Sequence, residues 1–241
     1  MSLPPPSILP LAVDHLSYQA GKRLLLHDIS FTIGPASVVA LIGPNGSGKS
    51  LTLRLCHGLL RPAGGSIRWQ QPGGVLSGHK RHGMVFQRPV MLRRSARANI
   101  VHAVTAMGVP EAGTRAEEAL HRFGLAALAD RPARLMSGGE QQRLAIARAW
   151  ALRPQCLFMD EPTAHLDPGA TRQIEEIIAG IAAEGVTILI STHDFGQARR
   201  LSQRVLFLHQ GRLLEDRPTP EFFAAPQTTE ARAFIAGDLI W

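Results

Sequence analysis

Apolar residues along the chain fall into short runs, and the period of the pattern changes from run to run. Residues 38–42, 156–159 and 186–191 are almost continuously apolar, as in strands buried on both faces, and 84–86 is a shorter run of the same kind. Residues 24–26 and 29–33 have strand-like register. With the apolar positions from Val13 they predict two segments joined at Ala20-Gly21, an antiparallel flank leading into 38–42. Gly64-Gly65 turns into a short strand over 66–69, and 205–209 with 212–215 predicts a hairpin at Gln210-Gly211. Helical patterns lie between the buried runs. One covers 51–60, ended by Gly58 and Arg61-Pro62, and a second runs from Ser137 to Leu152 before Arg153-Pro154. A third begins at Asp167-Pro168, Asp as N-cap and Pro at the first helical position, and a fourth runs from Asp194 to Leu201. Strands alternating with helices predict an α/β fold with a parallel-sheet core.

Between 88 and 135 the pattern becomes alanine-rich and helical, broken at Gly108, Pro110, Gly113 and Gly124. The organisation that follows is one domain over 12–225, with its core at 12–87 and 137–225, a helical subdomain inserted at 88–136, and a tail at 226–241. Residues 70–83 are rich in Gly, Pro and His and predict a loop. Residues 1–11, with three consecutive prolines and no basic start, read as a loose lead-in and not a signal peptide. No apolar run approaches the ~18 residues of a membrane span.

The chemistry is concentrated in Gly43-Pro44-Asn45-Gly46-Ser47-Gly48-Lys49-Ser50, between the run at 38–42 and the helical pattern from Leu51. Closely spaced glycines let successive backbone N–H groups turn around anionic oxygens, and the following helix points its positive end at the same place. Lys49 adds a cation for β- and γ-phosphates, and the Ser50 hydroxyl suits a hydrated Mg²⁺. Other residues gather at strand ends, where ligands of parallel sheets collect. Gln87 follows one strand, Asp160 and Glu161 end another, and His193 follows a third. The reading gives Asp160 the metal, through water to Ser50, and gives Glu161 the attacking water. His193 holds the γ-phosphate or, alternatively, is a buried histidine on a backbone carbonyl. Ser137-Gly138-Gly139 leave N–H groups for an anion, or Ser137 is simply an N-cap. Tyr18 stacks on a nucleotide base or is a half-buried edge tyrosine.

Composition narrows this little. The net charge is +7, and only three of the 26 basic residues are lysines. The arginines are scattered and no basic stripe is interleaved with aromatics, so nucleic acid is not an expected partner. Cys56 and Cys156 have no metal-ligand spacing and read as reduced core thiols.

The chain resembles the ATP-binding cassette (ABC) ATPases from about Val13 to Glu215. Met136-Ser137-Gly138-Gly139-Glu140 is similar to the family's signature, Gln87 to its Q-loop, Asp160-Glu161 to its Walker B pair, 164–167 to its D-loop and His193 to its switch histidine. The resemblance implies a RecA-like P-loop NTPase fold and Mg²⁺-dependent ATP hydrolysis. ATP would be held by Tyr18, the loop Gly43, Pro44, Asn45, Gly46, Ser47, Gly48, Lys49, Ser50, Leu51, and, from a second copy, by Ser137, Gly138, Gly139 and Glu140. Glu161, His193 and Gln87 would be catalytic; Ser50, Gln87 and Asp160 would hold the metal. Two copies would pair head to tail, peripheral on the cytoplasmic face of the membrane, and work with transmembrane permease subunits and indirectly with a solute-binding protein. Three departures stand out: Met136 and Glu140 in the signature, His165 in the D-loop, and a run over 70–83 that is short for the family's sheet flank. The segment 87–94 and the Glu221-Phe222-Phe223 tail ending at Trp241 resemble the ATP-binding subunits of tungstate-type oxyanion importers. A subunit of an exporter or of another importer and a soluble ABC-type nucleic-acid ATPase are the alternatives; the 87 positions from Ser50 to Ser137, without heptads, disfavour the last.

Overall fold

The computed structural model describes residues 6–76 and 78–238. In chain order the elements are β1 (Leu11–Ala20), β2 (Arg23–Ile33), β3 (Val38–Ile42), α1 (Lys49–His57), β4 (Gly64–Trp69), β5 (Val75–Leu76), β6 (His79–Lys80), β7 (His82–Val85), α2 (Ala96–Ala106) and α3 (Ala112–Arg122). They continue with α4 (Gly138–Trp150), β8 (Cys156–Asp160), α5 (Pro168–Ala183), β9 (Thr187–Ser191), α6 (Phe195–Leu201), β10 (Arg204–His209), β11 (Arg212–Pro218), α7 (Thr219–Ala224) and α8 (Thr229–Ala236).

The central sheet runs β11-β10-β3-β9-β8-β7, all parallel except the edge strand β11. A separate antiparallel sheet, β2-β1-β4, covers one side. Side chains of a strand alternate between faces, and the two hydrophobic cores follow that alternation. Val38, Ala40, Ile42, Leu157, Met159, Ile188 and Ile190 face the core that holds α4 and α5. Val39, Leu41, Phe158, Leu189 and Leu206 face the core made with α1 and the antiparallel sheet. At about 1.5–3 kcal/mol for each large side chain fully buried, this two-sided burial holds the strands in register and lets their polar ends project. Ile100 and Val104 of α2 and Ala116 and Leu120 of α3 belong to the same core as α4, so the helical segment is cored together with one face of the sheet.

Among the described residues five helix starts are capped by the residues that spell them. Ser95, Ser137, Asp167, Asp194 and Thr228 accept from the N–H groups of Ala98, Glu140, Ala170, Gln197 and Ala231.

The structure corrects four expectations. Ile8 and Leu9 are buried, and the Ile8 N–H donates to Gln155 Oε1 at 2.8 Å, so the described part of the lead-in is docked. The strand placed at 84–86 is β7, which starts at His82 inside the supposed loop because it pairs with β8 from Cys156. That loop also holds a 3-10 turn at Pro72–Gly74 and the small β5–β6 hairpin. The tail contains α8: Glu215, buried, accepts from the Thr228 N–H at 2.6 Å and its hydroxyl at 2.7 Å, and Phe234 lies 5.0 Å from Phe195. Trp241 lies outside the described residues.

The 70–83 stretch contributes to the core through histidine, which is hydrophilic in composition and aromatic in packing. His82 is buried, stacked on Trp69 at 4.6 Å, with His57 at its edge at 4.9 Å. Burial pushes His82 down to about 4, with the Lys80 charge adding and the Gly73 carbonyl opposing. His57 is pushed down to about 3 by burial, then by His82 and Lys80. An unfolded histidine titrates near 6.5, so below that pH the unfolded chain takes up protons that the folded chain refuses. Stability is therefore full above about pH 6.5 and declines as pH falls toward 4. His82→Phe keeps the stacked ring and removes one such group, and should flatten the fall in urea midpoint between pH 7 and 5. An unchanged slope would show that His82 is not part of the acid limb.

Candidate functional site

The loop after β3 leaves the sheet at Gly43, where φ is 150° and a Cβ would lie 2.0 Å from the Leu208 carbonyl oxygen. No side chain fits there, so the loop can start only with glycine. At Gly48, the N-cap of α1, φ is 105° and a Cβ would meet Leu26 Cδ2 at 2.4 Å. Between them the chain closes on itself, the Ser47 N–H donating to the Pro44 carbonyl at 3.2 Å. The first N–H groups of α1 have no intrahelical partner and point into this turn.

Lys49 is buried under the loop; its Nζ donates to the carbonyls of Gly43 at 2.8 Å and Pro44 at 3.1 Å and lies 3.9 Å from Glu161 Oε1. Burial pulls its ammonium below the usual lysine range, and Glu161 and then Asp160 oppose that pull. Ser47 Oγ is buried without a hydrogen-bond partner.

β8 and β9 end level, Asp160 opposite Ser191. Asp160 Oδ1 accepts from Ser50 Oγ and from Ser191 Oγ, each at 2.8 Å. Ser50 of α1 and Asp160 of β8 are thus joined by a hydrogen bond. Arg54 Nη2 is 4.0 Å from Asp160 Oδ2. Glu161 has φ +41°, a strained left-handed turn, held by its N–H donating to the carbonyl oxygen and hydroxyl of Ser191 at 3.1 and 3.0 Å. Its carboxylate meets Gln87 Nε2 at 3.3 Å and His193 Nδ1 at 3.3 Å. His193 is 61% exposed, which removes the alternative of a buried structural histidine. Gln87 follows β7 by two residues and reaches the same carboxylate because β7 and β8 are parallel neighbours.

Two adjoining cavities share Asn45, Gln87 and Glu161. One, of 280 Å³, is lined by the loop from Asn45 to Leu51, so Leu51 contributes an apolar wall. The other, of 300 Å³, is lined by residues 163–165 and 192–194. Tyr18 is half-buried on β1, paired with Leu26, the residue that touches Gly48. Ser137, Gly138, Gly139 and Glu140 line neither cavity. Ser137 instead forms a reciprocal cap: its N–H donates to Glu140 Oε2 at 2.7 Å and its Oγ accepts from the Glu140 N–H at 3.3 Å. That backbone hydrogen bond holds the Glu140 carboxyl below the usual range, with the Ser137 hydroxyl, Arg131 and Arg143 contributing less.

The sequence reading missed Ser191 and Arg54. A serine ending an otherwise apolar strand signals the first; nothing in the sequence signals the second. The residues fit a triphosphate with Mg²⁺. A glycine-bounded cradle, a buried ammonium and the unpartnered Ser47 hydroxyl suit phosphate oxygens, while Ser50 and Asp160 form the hard-oxygen pair that Mg²⁺ takes beside substrate phosphates.

The comparisons bear on the same residues. A model of the ABC transporter family matches residues 26–164. The arginine transport ATP-binding protein ArtM of Bacillus subtilis (strain 168) is 36% identical over 235 residues, 93% of this chain and 98% of ArtM. Phosphate import ATP-binding protein PstB 1 of Yersinia pestis bv. Antiqua (strain Antiqua) is 38% identical over 246 residues, 94% of this chain and 90% of PstB 1. The solved structure of cbiO1 from Clostridium perfringens, part of the ABC transporter complex cbiONQ, superposes with a TM-score of 0.79 at 30% identity, covering 91% of each chain. The chain therefore belongs to the family of ABC transporter ATP-binding subunits and is an ATPase that binds ATP with Mg²⁺.

Proposed function

We propose that this ATPase drives a membrane importer for an oxyanion such as tungstate, as a head-to-tail pair of copies bound to transmembrane permease subunits on the cytoplasmic face, and indirectly served by a solute-binding protein. The observation that carries the catalytic part is the junction at Glu161, where Lys49, Gln87 and His193 converge on one carboxylate. The phosphate loop and Lys49 hold the β- and γ-phosphate oxygens, and Ser50, Asp160 and Gln87 hold the metal. Mg²⁺ held there would supply neutralisation of phosphate charge. A carboxylate only accepts, so the Gln87 amide nitrogen faces Glu161 and its carbonyl oxygen is the end left for the metal. Glu161 accepts the proton of the attacking water, and His193 orients that water and the γ-phosphate. Tyr18 stacks on the base, and Ser137, Gly138, Gly139 and Glu140 close the site from the second copy.

Import is supported by the relative named for phosphate import, and phosphate is itself an oxyanion. Tungstate rests on the resemblance of 87–94 and of the Glu221-Phe222-Phe223 tail. The likeness to ArtM favours a second reading, an amino-acid importer.

Lys49→Ala removes a charge-assisted contact and should weaken ATP binding by about 2 kcal/mol or more, roughly thirtyfold, in a nucleotide titration. Parent-level affinity would exclude the loop as the site. Glu161→Gln should lower turnover by about 10²–10⁴-fold while nucleotide binding survives, and should accumulate an ATP-bound dimer in size-exclusion chromatography. Asp160→Asn should instead lose Mg²⁺-dependent binding. A monomeric Glu161→Gln that turns over normally would sink both the base assignment and the paired arrangement. Photo-crosslinkers at Arg93 and Arg94 should capture an integral membrane permease. In the purified complex with its binding protein, tungstate and not arginine should stimulate hydrolysis; the reverse response would select the amino-acid reading.

A further inference from the structure

β8 and β9 leave the sheet side by side, and the last backbone bond between them is the Glu161 N–H to the Ser191 carbonyl. Beyond it the two chains separate. One passes Thr163 and His165 into α5, the other passes His193 and Asp194 into α6, and together they wall the 300 Å³ cavity. The distance between Glu161 and His193 therefore depends on what ties these two loops together.

Gln197, in the first turn of α6, makes that tie. It is completely buried. Its backbone N–H donates to Asp194 Oδ1 at 2.9 Å, fixing the loop that carries His193. Its Nε2 donates to Thr163 Oγ1 at 2.9 Å and to Glu175 Oε1 at 3.2 Å. Glu175 accepts from Arg200 Nε at 2.9 Å and Nη2 at 2.7 Å, so both its oxygens act as acceptors. Only the nitrogen of the Gln197 amide can face it, and that orientation also fixes the donor toward Thr163. The amide oxygen is left buried without a partner. A side chain kept in place at the cost of an unsatisfied acceptor is held there by its two donor contacts.

We propose that Gln197 is a positioning residue for ATP hydrolysis: by anchoring Thr163 to the start of α6 it sets the strained Glu161 turn against His193. This rests on the roles assigned to Glu161 and His193 above. Ala164 N–H donates to the Glu161 carbonyl and Leu166 N–H to the Thr163 carbonyl, so a displaced Thr163 carries the turn with it.

The test compares Gln197→Met, which keeps length and apolar volume without the donors, with Thr163→Val, which cuts the same bond from the other side. Each should lower kcat about ten- to hundredfold while KM for ATP stays within about twofold, and the double variant should be no worse than either single. A merely structural role would lower the thermal midpoint without that split of kcat from KM. Parent-level kcat in Thr163→Val, or multiplying losses in the double variant, overturns the proposal; should Gln197→Met fail to fold, Thr163→Val carries the test alone. Glu161→Gln is measured beside them. If it turns over at the parent rate, the role of Glu161 and the proposal fall together; if it collapses while Gln197→Met and Thr163→Val turn over normally, only the positioning claim is lost.

Discussion

The site depends on keeping one ammonium group charged where water barely reaches. Lys49 is 5% exposed, and burial alone favours its neutral form. An isolated buried charge costs several kcal/mol, which exceeds what a single neutral hydrogen bond returns. Two carbonyls of its own loop and the carboxylates of Glu161 and Asp160 offset that cost. The carboxylates need the lysine in turn, since both stand at the end of a wholly apolar strand. The phosphate loop and the acidic strand end are thus one electrostatic unit, drawn from residues more than a hundred positions apart.

What brings them together is packing that has no polar component. β3, β9 and β8 are buried on both faces, and their parallel register sets every loop on the same edge of the sheet. A slip of one residue would exchange the two faces of a strand between two different cores, so the register is strongly fixed. Where the sheet ends, side chains take over. Ser191 holds the left-handed Glu161 turn with its carbonyl and hydroxyl while donating to Asp160, so one serine couples Glu161 to Asp160.

Most of this was legible in the sequence where one physical cause dominates. The buried strands declare themselves by continuous apolarity, and Ser137, Asp167 and Asp194 mark helix starts by their capping chemistry. The phosphate loop declares itself by a glycine spacing that few other structures require. Legibility fails where two causes compete. His82 and His57 are polar by composition and aromatic in contact, so the pattern places the start of β7 two residues late and a loop before it. Gln197 has the composition of an exposed helical residue, and only the arrangement of Thr163, Glu175 and Arg200 gives it a role. Ile8 and Leu9 sit beside prolines that suggest an unpacked end, yet the pairing of Gln155 with Ile8 draws them in.

Ser137 shows why two readings of one residue need not exclude each other. As an N-cap its oxygen accepts from the Glu140 N–H, which uses one of its two lone pairs. Glu140 returns the contact through the Ser137 N–H, so the cap is closed on both sides and the hydroxyl is held in one place on an exposed surface. A fixed donor beside two glycines at a helix start is suited to an anionic oxygen. Neither cavity of the same chain includes it, and the oxygen assigned to it is that of the nucleotide in the second copy of the proposed pair. The structural duty of Ser137 thus prepares the proposed functional one, because a capped serine has lost the rotational freedom that binding would otherwise have to remove.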